Sequence, residues 1–536
     1  MQQAIRRGAI GRLVAVRLTA HVVTDHGQLE RLAARLLAAA CEWLGDTPLR
    51  VTTIGDSRTA QLSVLALLSR GGSVLVSAST ASRAPLLEAL VFGQHGIASW
   101  EGDAVDVRLS EKEEPLTELE QRCWQLVQTA VAVHKPLAAS DAPVQWWHAA
   151  RTLDRQRIPK PPFGVLLVSG HHTHQPNYAM ALAADRRCRL IAVTDESDVS
   201  PRRRELNERL AKDLDLPYLD DVYAAVKRDD VAIVSICAEP ERRGKIIVAA
   251  ANAGKVLYLD KPLAGSVADA DAIVRAVEQQ RLFTHMFSLV PGDLAVRARD
   301  VLESQCLGQL TGLHIDLTFA KGHAGGAKLG LPRRETAKPT GFELPDAKRE
   351  LTNIGVYGVV FVLSLLRRNV RRVVATTGNY FFAEHQLRDF EDFGQMLLEL
   401  DGGVTASVTC GRTGWQSSLA GGVQRITLVG TQGAKTIDAH RPRVEIWSDA
   451  APWSPPERNP DDPMAMWSLP PDSPFVAKPK TMWTAPTFGG QSDAAYFLDR
   501  LEAGEPSDVP AGLAAVATKV LFAAYQSAAT GEPVSL

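Results

Sequence analysis

Lys261 follows the apolar run Val256-Leu-Tyr-Leu259 and sits in the triplet Asp260-Lys-Pro262. An ammonium at that position stabilises an alkoxide as it develops and assists loss of a hydroxyl proton. The plainer alternative is a solvated lysine at a strand end. Pro262 fixes the backbone beside it. Asn353 and Tyr357 are one helical turn apart, on one face of a helix that opens near Gly355. A tyrosine passes a proton through its phenol, more readily beside a lysine that lowers its pKa. Asparagine can hydrogen-bond a substrate but is no general base, and Asn353 also suits a helix N-cap. The turn Ser169-Gly-His-His-Thr-His-Gln-Pro176 gathers His171, His172 and His174. Adjacent residues on a turn rarely converge on one ion, and no carboxylate follows at ligand spacing, so no metal site is expected. Arg242 and Arg243 read as a charged helix start or, with His285, as groups favouring an anionic ligand.

The elements that must position these residues follow a clear pattern. After the break Ile158-Pro-Lys-Pro-Pro162, apolar strands are expected at 163–168, 188–194, 231–237, 256–259 and 282–287. They alternate with helices starting near Tyr178 and over about 201–214, 241–253 and 268–280, the signature of a parallel sheet covered on both faces. Beyond about residue 290 the texture becomes β-rich, with runs at 310–319, 371–378, 394–409, 424–429 and 443–447 and a helix over 355–366. This predicts an open, mostly antiparallel sheet with a helix on one face. Lys321, His323 and the glycines Gly322, Gly325 and Gly326 form a polar segment ahead of Asn353, and residues 450–490 read as a Pro/Trp-rich arm.

The first 110 residues repeat the landmarks of the later sheet in order. Arg50-Val-Thr-Thr-Ile-Gly55 parallels the run from Arg372 to Gly378, Gly71-Gly72 parallels Gly402-Gly403, and the turn around Gly93 parallels that around Gly430. The expected layout is α/β: residues 1–150 a degenerate copy of the sheet domain, 151–290 a Rossmann-like domain, and 291–536 an α+β substrate and oligomerisation domain.

Asp195 after the second strand, Gly254-Lys-Val-Leu-Tyr-Leu-Asp-Lys-Pro262, Asn353-Ile-Gly-Val-Tyr357 and Val429-Gly-Thr-Gln-Gly433 together resemble the glucose-fructose oxidoreductase / inositol dehydrogenase / MocA-like family, over slightly more than half the chain. The resemblance implies a nicotinamide cofactor, NAD or NADP. It would be held by Ser169, Gly170, His172, Thr173, Asp195, Cys237, Ala238, Asp260 and Lys261. It also implies catalysis by Lys261, Tyr357 and Asn353 on a small, sugar-like substrate, and self-association through the C-terminal sheet. The departures are specific. With Gly170 as first fingerprint glycine, the second and third fall on His172 and Gln175, whereas glycines there let the backbone approach a pyrophosphate and pack helix on strand. Asp260 and Asn353 stand where the family commonly has glutamate and aspartate. Asp195 is either a ribose ligand or a capping carboxylate, and it would repel the 2′-phosphate that Arg202, Arg203 and Arg204 could reach. A catalytically reduced sensor or structural subunit, and a lyase or isomerase with tightly held NAD, are the alternatives.

Bulk properties add exclusions. Of 536 residues, 59 are Lys or Arg and 61 Asp or Glu, a balance giving no reason to expect a nucleic-acid partner. No apolar run is long enough to span a bilayer, and six scattered cysteines without a CxxC pair suit a reducing, cytoplasmic location.

Overall fold

The computed structural model describes the chain apart from residues 1–7, 23–27, 57–59, 81–85, 103–114, 134–143, 151–152, 323, 332, 345, 415–420, 443, 447–481 and 485–486. His323 and nearly all of the Pro/Trp-rich arm therefore lie outside the described residues.

An N-terminal sheet comprises β1 (Leu13–His21), β2 (Pro48–Asp56), β3 (Gln61–Leu68), β4 (Ser73–Ser79), β5 (Leu86–Gly93) and β6 (Gly96–Gly102). With it go α1 (Leu29–Leu44) and α2 (Glu118–Val133), and α3 (Gln145–Ala150) follows. The central unit runs β7 (Phe163–Val168), α4 (Gln175–Ala183), β8 (Cys188–Thr194), α5 (Pro201–Asp213), β9 (Tyr218–Leu219), α6 (Val222–Ala225), β10 (Ile233–Ile236), α7 (Pro240–Asn252), β11 (Val256–Leu259), α8 (Val267–Gln280), β12 (Thr284–Met286). The last unit begins with α9 (Asp293–Glu303), β13 (Leu310–Phe319), α10 (Glu350–Asn353), α11 (Gly355–Leu366), β14 (Val370–Gly378) and α12 (Ala383–Arg388). It continues with β15 (Phe393–Leu400), β16 (Thr405–Arg412), β17 (Gln424–Gly430), β18 (Gly433–Asp438), the pair β19 (Val444–Ile446) and β20 (Met482–Thr484), α13 (Asp493–Ala503), α14 (Ala511–Thr530) and β21 (Val534–Ser535).

The central sheet is all parallel, in the order β9-β8-β7-β10-β11-β12. Strands β7, β10 and β11 are buried at every residue, as strands with helices on both faces must be. Strand order reverses between β7 and β10, so their carboxyl ends flank the crevice where sheets of this kind bind ligands. Helix α13 returns to this sheet: Phe497, Leu498 and Leu501 pack with Phe163, Val165 and Ile233. Helix α14 lies against β14, α8 and α11 and so ties the central unit to the C-terminal one.

The C-terminal sheet has the order β18-β17-β13-β16-β15-β14-β21, with one parallel pair, β13 and β16. Helix α11 is apolar all round and buried from Gly355 to Ser364 because the sheet covers one side and helices the other. The N-terminal sheet, β2-β3-β4-β1-β5-β6, matches it strand for strand as β14-β15-β16-β13-β17-β18. The parallel pair recurs as β1 and β4, and the same bulge opens the first strand of each copy, between Leu13 and Ala15 and between Leu310 and Gly312. The expected duplication is thus present in topology and register.

Gly164 tests the central packing. A Cβ there would lie 1.9 Å from the carbonyl oxygen of Asp230, a backbone atom with no room to yield. Gly164→Ala should destabilise the protein by about 2 kcal/mol or more in urea unfolding; an unchanged midpoint would contradict this packing.

Candidate active site

The end of β11 delivers Asp260 and Lys261 into the interior, 2% exposed each, and the Lys261–Pro262 peptide is cis. The Asp260 carboxylate is held from three sides. His174 Nδ1 lies 3.0 Å and the Tyr178 hydroxyl 2.8 Å from Oδ1, while Arg243 Nη2 donates to Oδ2 at 3.2 Å. Burial alone would push its pKa up, but His174, Arg243 and Lys261 outweigh that and hold it well below the ordinary value. Arg243 is fully buried and also donates to the carbonyls of Ala238, Asp260 and Pro262. It is therefore a structural clamp rather than a solvated helix start or an anion receptor. His285 is likewise engaged, by Ser507 and Asp493.

Lys261 Nζ donates to the Asn353 carbonyl at 2.9 Å and to its side-chain oxygen, and lies 5.1 Å from the Tyr357 ring centre. Its surroundings exclude the solvated-lysine alternative. Burial lowers its pKa to about 8, with Asp260 opposing the shift. Asn353 is no N-cap: it ends α10, and its amide nitrogen donates to Glu350 at 2.8 Å. Burial would raise the Glu350 pKa, but Arg412, His385 and Asn353 bring it down to about 2. Burial also drives Tyr357 well above the ordinary tyrosine value, so Lys261 does not lower it as expected, and its phenol stays protonated.

The glycine-poor turn is arranged differently. Ser169 takes a left-handed φ of 84°, and its hydroxyl lies 2.9 Å from His172 Nε2. Gly170 is required by contact, since a Cβ there would come within 2.6 Å of Asn207 Cα. Gln175 fills the space a third fingerprint glycine would leave, donating to the carbonyls of Val168 at 3.0 Å and Ser235 at 2.8 Å at the ends of β7 and β10. Thr173 and Cys237 are buried against it, and Ala238 is buried as well. The three histidines diverge, His171 to Asp213, His172 to Ser169 and His174 to Asp260. Burial brings His172 down to a pKa of about 3.

Asp195 caps no helix, since Ser200 caps α5. It is fully buried, and Arg203 grips both its oxygens at 2.8 Å, with Asn207 adding a third bond. Arg203 also reaches Glu239, the residue before α7, so an ion-paired bridge runs from α5 to α7 across the carboxyl end of β7. Arg242 pairs with Glu196 and Asp198.

Two of the expected groupings therefore meet: Lys261 with Asn353 and Tyr357, and Ser169 with His172. His174, Tyr178, Arg243, Glu350 and Arg412 were missed as site residues. The sequence signals among them were His174, in a histidine-rich turn, and Arg243, each in another role.

Residues 166–287 match the family model of an oxidoreductase family with an NAD-binding Rossmann fold, and residues 295–435 match the GFO/IDH/MocA C-terminal domain. Among solved structures, GenD2 from gentamicin A biosynthesis, crystallised with NAD, superposes with a TM-score of 0.53 at 21% identity, covering 71% of this chain and 97% of that one. A putative myo-inositol dehydrogenase from Sinorhizobium meliloti gives 0.50 at 16% identity, covering 70% and 99%. These likenesses show a shared fold. A curated relative, 4-carboxy-2-hydroxymuconate-6-semialdehyde dehydrogenase of Sphingobium sp., is 30% identical over 95 residues, which are 15% of this chain and 30% of the relative.

The depressed Lys261 pKa fixes a sign. Between about pH 8 and 10.5 the unfolded chain carries a proton that native Lys261 does not, so its contribution to stability rises with pH across that window and is least favourable below it. Measured by urea unfolding, wild type should gain on the order of 3 kcal/mol relative to Lys261→Met between pH 7 and pH 10.5. A pH-independent difference would show that the ammonium is solvated.

Proposed function

We propose, proceeding from the fact that this chain belongs to the Gfo/Idh/MocA oxidoreductase family, that it is a nicotinamide-dependent oxidoreductase acting on a hydroxyl-bearing carbon of a small polar, sugar- or cyclitol-like substrate. One observation carries the reading: Lys261 is held against Asn353 and Tyr357 where β11 ends, at the carboxyl edge of the Rossmann sheet.

The NAD-binding Rossmann fold makes a nicotinamide dinucleotide the cofactor, and when bound it accepts or gives up the hydride. The rest is the work of the chain's own groups. Lys261, with a pKa near 8, takes the proton from a substrate hydroxyl in its neutral form and returns it in the reverse direction. Tyr357 stays protonated and donates a hydrogen bond to the substrate oxygen. Asn353 fixes the Lys261 ammonium through two acceptors, and Glu350 fixes Asn353. Asp260, clamped by Arg243, His174 and Tyr178, sets the direction in which Lys261 leaves the strand.

These residues fit the reactive end of the cofactor. At the adenosine end, Asp195 can accept a ribose hydroxyl only once Arg203 has turned away, and Glu239 adds negative charge that disfavours a pyrophosphate. The same Asp195–Arg203–Glu239 bridge favours the second reading, a relative of reduced activity that binds a ligand without turnover.

Calorimetric titration with NADH and NADPH separates the two. One-site binding at micromolar strength supports the enzyme, and Lys261→Ala should then abolish turnover while leaving dinucleotide affinity within about threefold. In the oxidative direction kcat/KM should rise with pH and level off above about 8. No binding by either nucleotide would leave the second reading. Removing the carboxylate charge in Glu239→Gln should tighten NADH binding by at least about threefold; weaker binding would mean that Glu239 helps hold the ligand.

A further inference from the structure

We propose that the N-terminal sheet is a built-in partner for the C-terminal sheet: one chain assembles the whole face-to-face sheet pair and stays a monomer. The two copies pack through the faces turned away from their helices. Leu65 of β3 and Leu397 of β15 meet in one small buried cluster. They are equivalent positions, since each pairs with the residue two beyond the bulge partner in its neighbouring strand, Thr52 and Val374. Glu88 and Arg425 are also equivalent, each five residues before the glycine that ends its strand, Gly93 and Gly430. Meeting of equivalent residues is what a two-fold relation between the copies produces.

The charges at the seam show that the copies have become complementary rather than interchangeable. Arg17, Glu88, Asp316 and Arg425 form a cluster 1–4% exposed, in which Arg17 Nε lies 3.1 Å from Asp316 and Arg425 Nη2 lies 3.9 Å from Glu88. Each cation thus faces an anion from the other copy. Two C-terminal sheets paired the same way would instead set Arg425 against Arg425 in a buried seam, each with the Asp316 of its own sheet beside it but no Glu88 to answer it. The rim is joined too: the Tyr380 hydroxyl donates to the Gly71 carbonyl at 2.8 Å, and Gln94 Nε2 donates to the Ala327 carbonyl at 3.1 Å. The face expected to bind a second copy is covered by the chain itself.

Two measurements on the full-length protein test this. Sedimentation velocity at micromolar concentration should show one species of 58.0 kDa; a dimer overturns the proposal. Leu65→Cys/Leu397→Cys, made with the exposed Cys306 changed to serine, should on oxidation give an internally crosslinked monomer of altered mobility on a non-reducing gel. A covalent dimer would mean that the sheets pair between chains, and no crosslink would mean that they do not pack as described. Either result overturns the proposal.

Discussion

The buried carboxylate of Asp260 is the interaction on which the site depends. An unpaired anion at that depth costs several kcal/mol or more, so its partners have little freedom to leave it. Those partners come from the start of α4 on one side and from α7 on the other, and Arg243 also caps the carbonyls on both sides of Lys261. The position of the lysine is thus set by helices packed on the sheet rather than by its own strand. Asn353, contributed by the C-terminal unit, then receives the ammonium. The packing of the two units and the chemistry are the same constraint seen from two sides.

A second buried anion, Asp195, works against ligand entry. Its bonds to Arg203 and Asn207 satisfy it without a ribose, and the Arg203–Glu239 bridge runs from α5 to the residue before α7 at the crevice. Gln175 similarly supplies to strand-end carbonyls the hydrogen bonds that water or a ligand would otherwise make. A dinucleotide has to replace these interactions with equivalents of its own, so affinity is the difference between two well-satisfied states.

Much of the fold was legible because its signals are local. The strands 163–168, 256–259 and 310–319 and the helix 355–366 lie within the bounds that apolar runs and alternation suggest. The duplication was legible from the glycines at its turns, which recur because hairpin geometry demands them. The site was legible only as far as residue type and position after a strand allow. Lys261 is found that way. So are Asn353 and Tyr357, but the clamp on Asp260 is not, because His174 lies 86 residues from that carboxylate in sequence. Arg243 and Glu350 look like solvated helix residues until the fold shows both buried. Asp195 reads as a ribose ligand or a capping carboxylate because nothing eight residues on announces that Arg203 turns back to it.

Strand alternation explains how one sheet serves both the site and the seam. In β13, Leu313, Ile315 and Leu317 belong to the core shared with α11, while His314 and Asp316 point to the N-terminal copy. In β16, Val408 and Cys410 join the same helical core and Arg412 reaches Glu350, whereas Ser407 turns to His314 on the seam side. Successive residues therefore divide the two tasks, and a slip of one residue would exchange them at every position. The parallel and antiparallel neighbours on either side of β13 fix the register against such a slip. Each face is free to change only while it keeps that register. The N-terminal copy could exchange its charges for complementary ones, and the C-terminal copy could keep Arg412 and Tyr357, without either change disturbing the opposite face.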